Sequence, residues 1–421
     1  MSSNSSNYLS NSYSNSSNSE SSDDYRIENH DDFKGNVLNN KYILINQIGS
    51  GSFATVWLAL NIKDNSYCAI KMQDSDEIES GKEEINLLKK FNNSKCQFIN
   101  TINDHFEYKN EDGDTFVCMV FDLLAGSLYD IIRIGKYSNG LPLNAVKSII
   151  RQLLIAMDVI INKHKILHTD IKPDNILVVG INNKVLDMIE QVKNNKNFNN
   201  CLNKKNISKN KINKDGIKKS VKDISFEQID KKYSKYGKLS NEICFINDIY
   251  IKDIQVKLSD FGNCRDLNYS NFDIQTRYYR APEIILEYKY NQNCDIWSVG
   301  CIIYELLTGE ILFDPGKNKR FNRDRHHIYD IICLLGKIPD DILNNSNRKC
   351  DFFKHNGLLK GIDSLQYKPL YKLLTEKLST KSDFNQEQLL LTIDLMYKLL
   401  KYDPYSRPEA KVILKHKWFN N

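Results

Sequence analysis

The sequence predicts an α+β fold of two lobes, a small β-rich N-lobe over residues 42–123 and a larger α-helical C-lobe over residues 124–419. Three observations predict it. Residues 42–121 read as short apolar strands broken by turns. After Leu123 the apolar spacing changes to that of helices. Two short polar strings, residues 168–175 and 260–262, then place carboxylates, a cation and an amide in turns that follow apolar elements.

The elements follow in order. Residues 1–38 form a tail whose first two dozen positions are dominated by Ser and Asn, so it buries too little apolar area to offset its ordering entropy and is expected to be disordered. Tyr42-Ile43-Leu44-Ile45 and Thr55-Val56-Trp57-Leu58-Ala59 are strands flanking a glycine-containing turn, and Tyr67-Cys68-Ala69-Ile70-Lys71 is a third. Residues 83–91 read as a helix with Ile85, Leu87 and Leu88 inward, and residues 116–121 as a further strand. In the C-lobe, Val146, Ile149, Ile150, Leu153, Leu154, Met157 and Ile160 recur at i, i+3, i+4, i+7 spacing, which predicts a long buried helix. Residues 176–179 and 254–258 are two short strands, and the segment 181–250 between them interrupts a hairpin. Helices are expected at 294–308, at 389–400 and from Ala410 to about Trp418.

The net charge of +5 is unevenly spread. Residues 181–250 carry 15 lysines against 8 acidic residues, a surplus of seven, so the rest of the chain sums to about −2. Its Asn-Lys tracts show no sustained period and are expected to be a disordered, solvated excursion, inexpensive because loop-closure entropy grows slowly with length. The ten cysteines have no Cys-x-x-Cys spacing, as suits reduced thiols in the cytoplasm or nucleus, or in the host cytoplasm if the source is viral. No apolar run is long enough to span a bilayer and no cationic n-region precedes an apolar core, so neither a membrane nor a secretory signal is expected. Direct nucleic-acid binding is not expected either, and the chain is expected to be a monomer.

The chemistry concentrates in a few places. Gly49-Ser50-Gly51-Ser52-Phe53-Ala54-Thr55-Val56 lies between two strands, where glycines let backbone N–H groups approach phosphates and Phe53 shields them. Lys71 ends an apolar strand and needs a carboxylate from the following helix; Glu84 shares a face with Leu87 and Leu88, and Glu83 is the rival. His168-Thr169-Asp170-Ile171-Lys172-Pro173-Asp174-Asn175 and Asp260-Phe261-Gly262 resemble the catalytic loop H-x-D-x-K-x-x-N and the metal-binding D-F-G of eukaryotic protein kinases. That resemblance implies ATP and Mg²⁺ as cofactors and a protein substrate with a Ser or Thr acceptor. Asp170 would orient the acceptor hydroxyl and receive its proton, Lys172 would neutralise charge on the γ-phosphoryl group, and Asn175 and Asp260 would ligate Mg²⁺. Ile48, Val56, Ala69 and Leu177 would sandwich the adenine, with Phe121 behind it and the backbone from Asp122 to Leu124 bonding the base. Thr276, beside Lys172, implies a Ser/Thr rather than a Tyr acceptor, and Glu283 finds a structural partner in Arg407. His168 is expected to pack rather than to react.

Thr169 stands where many kinases have an arginine that pairs with an activation-loop phosphate, so activity is expected without such a phosphate. Nearly all of residues 42–419 carries the resemblance. The strings 273–280, 295–298 and 335–339, together with Phe352-Phe353 and Gly357-Leu358-Leu359, resemble the serine/arginine-rich-protein kinases of the CMGC group. Glu310 is retained from that family's acidic docking groove, yet residues 317–327 are basic, which weakens attraction for Arg-Ser peptides. Arg277, Arg280 and Arg323 resemble its basic pocket near the active site. A proline-directed CMGC kinase, a small-molecule phosphotransferase and a pseudokinase scaffold are the alternatives. The scaffold reading predicts loss of Lys71, Asp170 or Asp260, all of which are present.

Overall fold

The computed structural model describes residues 33–51, 53–133, 137–202, 213–234, 249–316, 322–362 and 364–420. Residues 1–32, Ser52 and the stretch 317–321 lie outside them. A six-stranded sheet forms the N-lobe in the order β1-β2-β3-β4-β6-β5, from β1 (Val37–Leu38), β2 (Tyr42–Ser50), β3 (Ala54–Asn61), β4 (Ser66–Gln73), β5 (Asp104–Lys109) and β6 (Thr115–Phe121). The helix Ile78–Asn92 packs on it through Ile85, Leu88 and Phe91. This lobe starts earlier than the sequence indicates: Phe33 is buried and Val37–Leu38 pairs with β2, so residues 33–38 belong to the lobe and not to a disordered tail.

Below it, the helix Leu143–Asp158 continues into a π-helical turn, Val159–Lys163, and the helix Cys294–Thr308 is buried along its whole length. Between these run β7 (Leu124–Ser127), β8 (Ile166–Leu167), β9 (Ile176–Val179), β10 (Val256–Leu258) and β11 (Arg265–Asp266). β9 pairs antiparallel with β10 and with β7, which sets Asn175 against Ser259. The last helix is shorter than expected: Ala410–Ile413, then a 3-10 turn at Lys417–Phe419.

The described parts of the insert depart from the expected disorder. They form the helices Asn183–Asn194, Lys196–Cys201, Lys214–Lys222 and Glu227–Ser234. Val185, Met188, Ile189 and Val192 are buried at helical spacing, and with Phe198, Ile217, Val221 and Phe226 they pack on Val37, Ile43, Ile45, Leu58 and Leu60. The physical reason lies in the strands. Tyr42, Leu44, Trp57 and Ala59 face one core, while the alternate residues Ile43, Ile45, Leu58 and Leu60 face the insert. The continuous apolar runs of β2 and β3 therefore record a sheet covered on both faces. Asn182 caps the first insert helix by accepting from Val185 N and anchors it to β7 by donating to Ala125 O at 3.1 Å.

Candidate active site

Strand register delivers Lys71. Val56 lies opposite Lys71 and Leu58 opposite Ala69, so these four side chains share one face of the sheet. The helix Ile78–Asn92 approaches that sheet closely at Gly81, where a Cβ would lie 3.1 Å from Val117. One turn later Glu84, 3 % exposed, reaches Lys71. The Lys71 ammonium lies 2.8 Å and 3.0 Å from the two Glu84 oxygens and 3.0 Å from Asp260 Oδ1. Glu84, not Glu83, is therefore the carboxylate on Lys71. Burial alone would pull the Lys71 pKa down, but Glu84 and then Asp260 hold it above its ordinary value. Burial pushes Asp260 up, and the Lys71 charge outweighs it, leaving that carboxyl below its ordinary value.

Asp170 is gripped from several sides. Thr276 donates to Asp170 Oδ1 through its hydroxyl at 2.6 Å and its N–H at 3.2 Å, and Lys172 Nζ lies 2.7 Å from Oδ2. Lys172 also donates to the Thr276 hydroxyl at 3.1 Å. Asn175 Nδ2 donates to the Asp170 carbonyl at 2.9 Å, while Asn175 O accepts from Ser259 N at 2.9 Å. Through that peptide the turn bearing Asp170 is stitched to the one bearing Asp260, although 90 residues separate them.

His168 is fully buried, packs on the Phe261 ring at 5.4 Å and bonds Ser259 O through Nε2 at 3.2 Å. Burial lowers its pKa, so it is a neutral packing group. Asp295, also fully buried, accepts from His168 N at 3.0 Å and Thr169 N at 3.2 Å. Burial pushes its carboxyl up to about 7, against those two donors. Asp295 lies in the string 295–298, and the signal for its role in the sequence is an acidic residue in the first turn of an apolar helix.

Thr169 ties both ends of the activation segment. Its hydroxyl donates to Asn263 O at 2.7 Å, and its carbonyl accepts from Gln275 N at 2.8 Å. Thr169, Asp260 and Gln275 all adopt positive φ, at 65°, 63° and 67°. Non-glycine residues in that region persist only where their surroundings enforce it, and here three gather at one site. Further along, Glu283 and Arg407, both fully buried, form a two-pronged pair at 2.5 and 2.6 Å.

The remaining expected residues are placed as follows. Ile48, Val56, Ala69, Leu124 and Leu177 are half-buried, Phe121 is buried, and Phe53 is 58 % exposed at the glycine turn. That turn is closed by Gly51 N donating to Ala54 O at 2.8 Å, with Gly49 opposite Val56 and Ser50 opposite Thr55. The Asp122 side chain accepts from Asn103 at 2.7 Å. Ile48 and Leu123 pack against the insert's apolar cluster, so the insert abuts the edge of the cleft between the lobes. Of the three residues that resemble the family's basic pocket, Arg277 pairs with Asp324 at 2.5 Å and Arg280 donates twice to Gln275 O at 3.0 and 2.7 Å. Arg323 is exposed, at the start of the helix Arg323–Leu335.

A protein kinase domain model matches residues 42–223 and 245–419. The chain belongs to the protein kinase family. Within it, the kinase is 30 % identical to the serine/threonine-protein kinase SRPK of Physarum polycephalum, over 94 % of this chain and 90 % of that one. It is 26 % identical to the serine/threonine-protein kinase SKY1 of Saccharomyces cerevisiae, over 96 % and 78 %, and 27 % identical to SRSF protein kinase 3 of Mus musculus, over 92 % and 87 %. It is thus a serine/threonine kinase of the SRPK group, acting on protein substrates.

Such a domain uses ATP and usually Mg²⁺, and the residues present fit both. Asn175 spends its amide nitrogen on Asp170, which leaves the amide oxygen as a hard donor. Asp260 engages Lys71 through Oδ1 alone. Among the described residues no three His, Cys, Asp or Glu side chains form a metal cage. One carboxylate and one amide oxygen suffice for Mg²⁺ when phosphate oxygens and water complete its shell. No helix among the described residues is long and apolar enough to cross a membrane.

Proposed function

We propose that this kinase phosphorylates serine in arginine-containing protein segments, and that it does so with no phosphate on its own activation segment. The observation that carries the second part is Thr169, which bonds both ends of that segment directly. An arginine at this position would need a phosphate partner to do the same. The first part draws on the relatives, one of which is an SRSF protein kinase. His326 pairs with Asp330 at 3.6 Å and Arg325 precedes it on the same helix, so the surface expected to dock such segments is of mixed charge, and short single engagements are favoured over long-lived docking.

The residues divide the work. MgATP, when bound, supplies the phosphoryl group to be transferred. Lys71, held by Glu84, positions the phosphates, while Asn175 and Asp260 supply hard oxygen ligands. Thr276 and Lys172 fix the two Asp170 oxygens so that the carboxylate orients the acceptor hydroxyl and takes its proton. Lys172 then stays beside the developing charge.

The test uses full-length kinase co-expressed with a phosphatase, assayed on peptide libraries with Arg-Ser, Ser-Pro and acidic contexts. Full activity with Arg-Ser preference is expected. Activity appearing only after a phosphate is mapped between Asp260 and Glu283 overturns the phosphate-independent part. A Ser-Pro or acidic preference overturns the substrate part.

A further inference from the structure

The end of the helix that carries Glu84 is held by a contact that no part of the phosphate machinery needs. The helix Ile78–Asn92 finishes on Phe91, whose ring meets Phe261 edge-on at 4.9 Å and His164 edge-on at 5.1 Å. Ser94, whose N–H donates to Phe91 O at 2.8 Å, forms a hydrogen bond between its hydroxyl and His164 Nε2. Phe91 is fully buried, so any tilt of the helix end must move these rings.

His164 reaches this place through two unusual backbone features. The long helix Leu143–Asp158 does not simply stop; it widens into the π-helical turn Val159–Lys163, which re-aims the chain at His164. Lys165 follows with φ of 60°, a left-handed conformation for a residue with a side chain. Isolated π-turns and positive φ both cost energy and recur where a side chain must be placed for a purpose. Here the side chain so placed is a half-buried imidazole against the Glu84 helix.

We propose that His164 is a positioning residue for the phosphoryl-transfer site: its bond to Ser94 and its contact with Phe91 hold the helix so that Glu84 stays on Lys71. The coupling runs through packed groups. The Phe91 ring touches Phe261, and Phe261 N donates to Glu84 Oε1 at 3.3 Å. The same helix end is fixed to the chain beyond it by Asn92, which donates to Ile102 O at 2.7 Å. Asn100 in turn donates to Ser259 Oγ at 3.2 Å, beside Asp260. The Ser94–His164 bond is the link in this set that fastens the N-lobe helix to the end of the long C-lobe helix.

The experiment is a double-mutant cycle in the full-length kinase, with Ser94→Ala, His164→Phe and the pair. His164→Phe keeps an aromatic ring against Phe91 and removes the ring nitrogens. Each single variant is expected to lose about five-fold in kcat/KM for ATP, the worth of one net hydrogen bond. The pair is expected to lose no more than the worse single, and amide exchange along residues 78–92 should quicken in all three. All assays are run well below each variant's unfolding temperature, where a contact serving stability alone would leave kcat/KM unchanged. Unchanged kcat/KM in the singles, or losses that multiply in the pair, overturns the proposal. Should His164→Phe fail to fold, Ser94→Ala alone decides, since its site is a partly exposed turn.

Discussion

Replacing Phe226 by Ala tests whether the insert is a folded part of the N-lobe. Phe226 is 4 % exposed, packs within the cluster built on Ile43, Ile45, Leu58 and Leu60, and lies 4.9 Å beneath the Lys34 ammonium. Removing a buried phenyl ring costs roughly 3–5 kcal/mol in transfer and cavity terms, and a cation–π contact adds about 0.5–1 kcal/mol. Taking about 3 kcal/mol as the part that falls on local docking, the opened population of the insert rises on the order of a hundred-fold. Native-state trypsin digestion reads this directly, because Lys193, Lys219 and Lys222 lie within the insert helices. Where closing outpaces cleavage, the cleavage rate follows that population. Cleavage after these lysines should quicken about a hundred-fold in Phe226→Ala, with fluorescence of the buried Trp57 reporting whether the sheet itself has opened. Equal rates in the two proteins would refute the reasoning and return the insert to a solvated excursion.

Other outcomes follow from the same geometry. Asp170→Asn should lower kcat by about 10²–10⁴ while nucleotide affinity, measured by calorimetry, stays within about two-fold. Arg407→Ala leaves the buried Glu283 carboxyl without its partner, and should cost about 3–5 kcal/mol in urea denaturation, whereas an exposed arginine such as Arg323 changed to Ala should cost less than about 0.5 kcal/mol. His327 is fully buried and its pKa is lowered from 6.5 to about 3, first by burial and then by Arg277 and Arg280. The unfolded chain therefore binds its proton at a higher pH than the folded one does, so this stability is present above about pH 6.5 and is lost as pH falls toward 3. Denaturation curves should show the native protein losing stability relative to His327→Phe across that window; parallel curves would contradict it.

Most of the site was legible because its chemistry depends on residue type at short spacing. Asp170, Lys172 and Asn175 share one turn, so their juxtaposition is local and the string 168–175 carries it. The choice of Glu84 over Glu83 followed from helical phase, which alignment with Leu87 and Leu88 supplied. The insert was misread because lysine and asparagine dominate its composition while its four-residue apolar rhythm, Val185, Met188, Ile189 and Val192, is brief. The better clue lay elsewhere, in strands 42–45 and 57–60 that are apolar at every position and so need a cover on each face. The pairing of Arg277 with Asp324 was not legible, because the two lie 47 positions apart in sequence and meet only in space.

The sequence by itself determined the two-lobed class and which side chains gather at the candidate site, because strand and helix periods and a turn's residue types are local properties of the chain. Only the tertiary structure decided which groups neutralise or restrain them: Glu84 and Asp260 on Lys71, Thr169 on both ends of the activation segment, Asp324 on Arg277, His164 behind Phe91, and the insert against the sheet. Those pairings depend on distances between residues tens to hundreds of positions apart, and such distances are set by how layers pack rather than by spacing along the polymer.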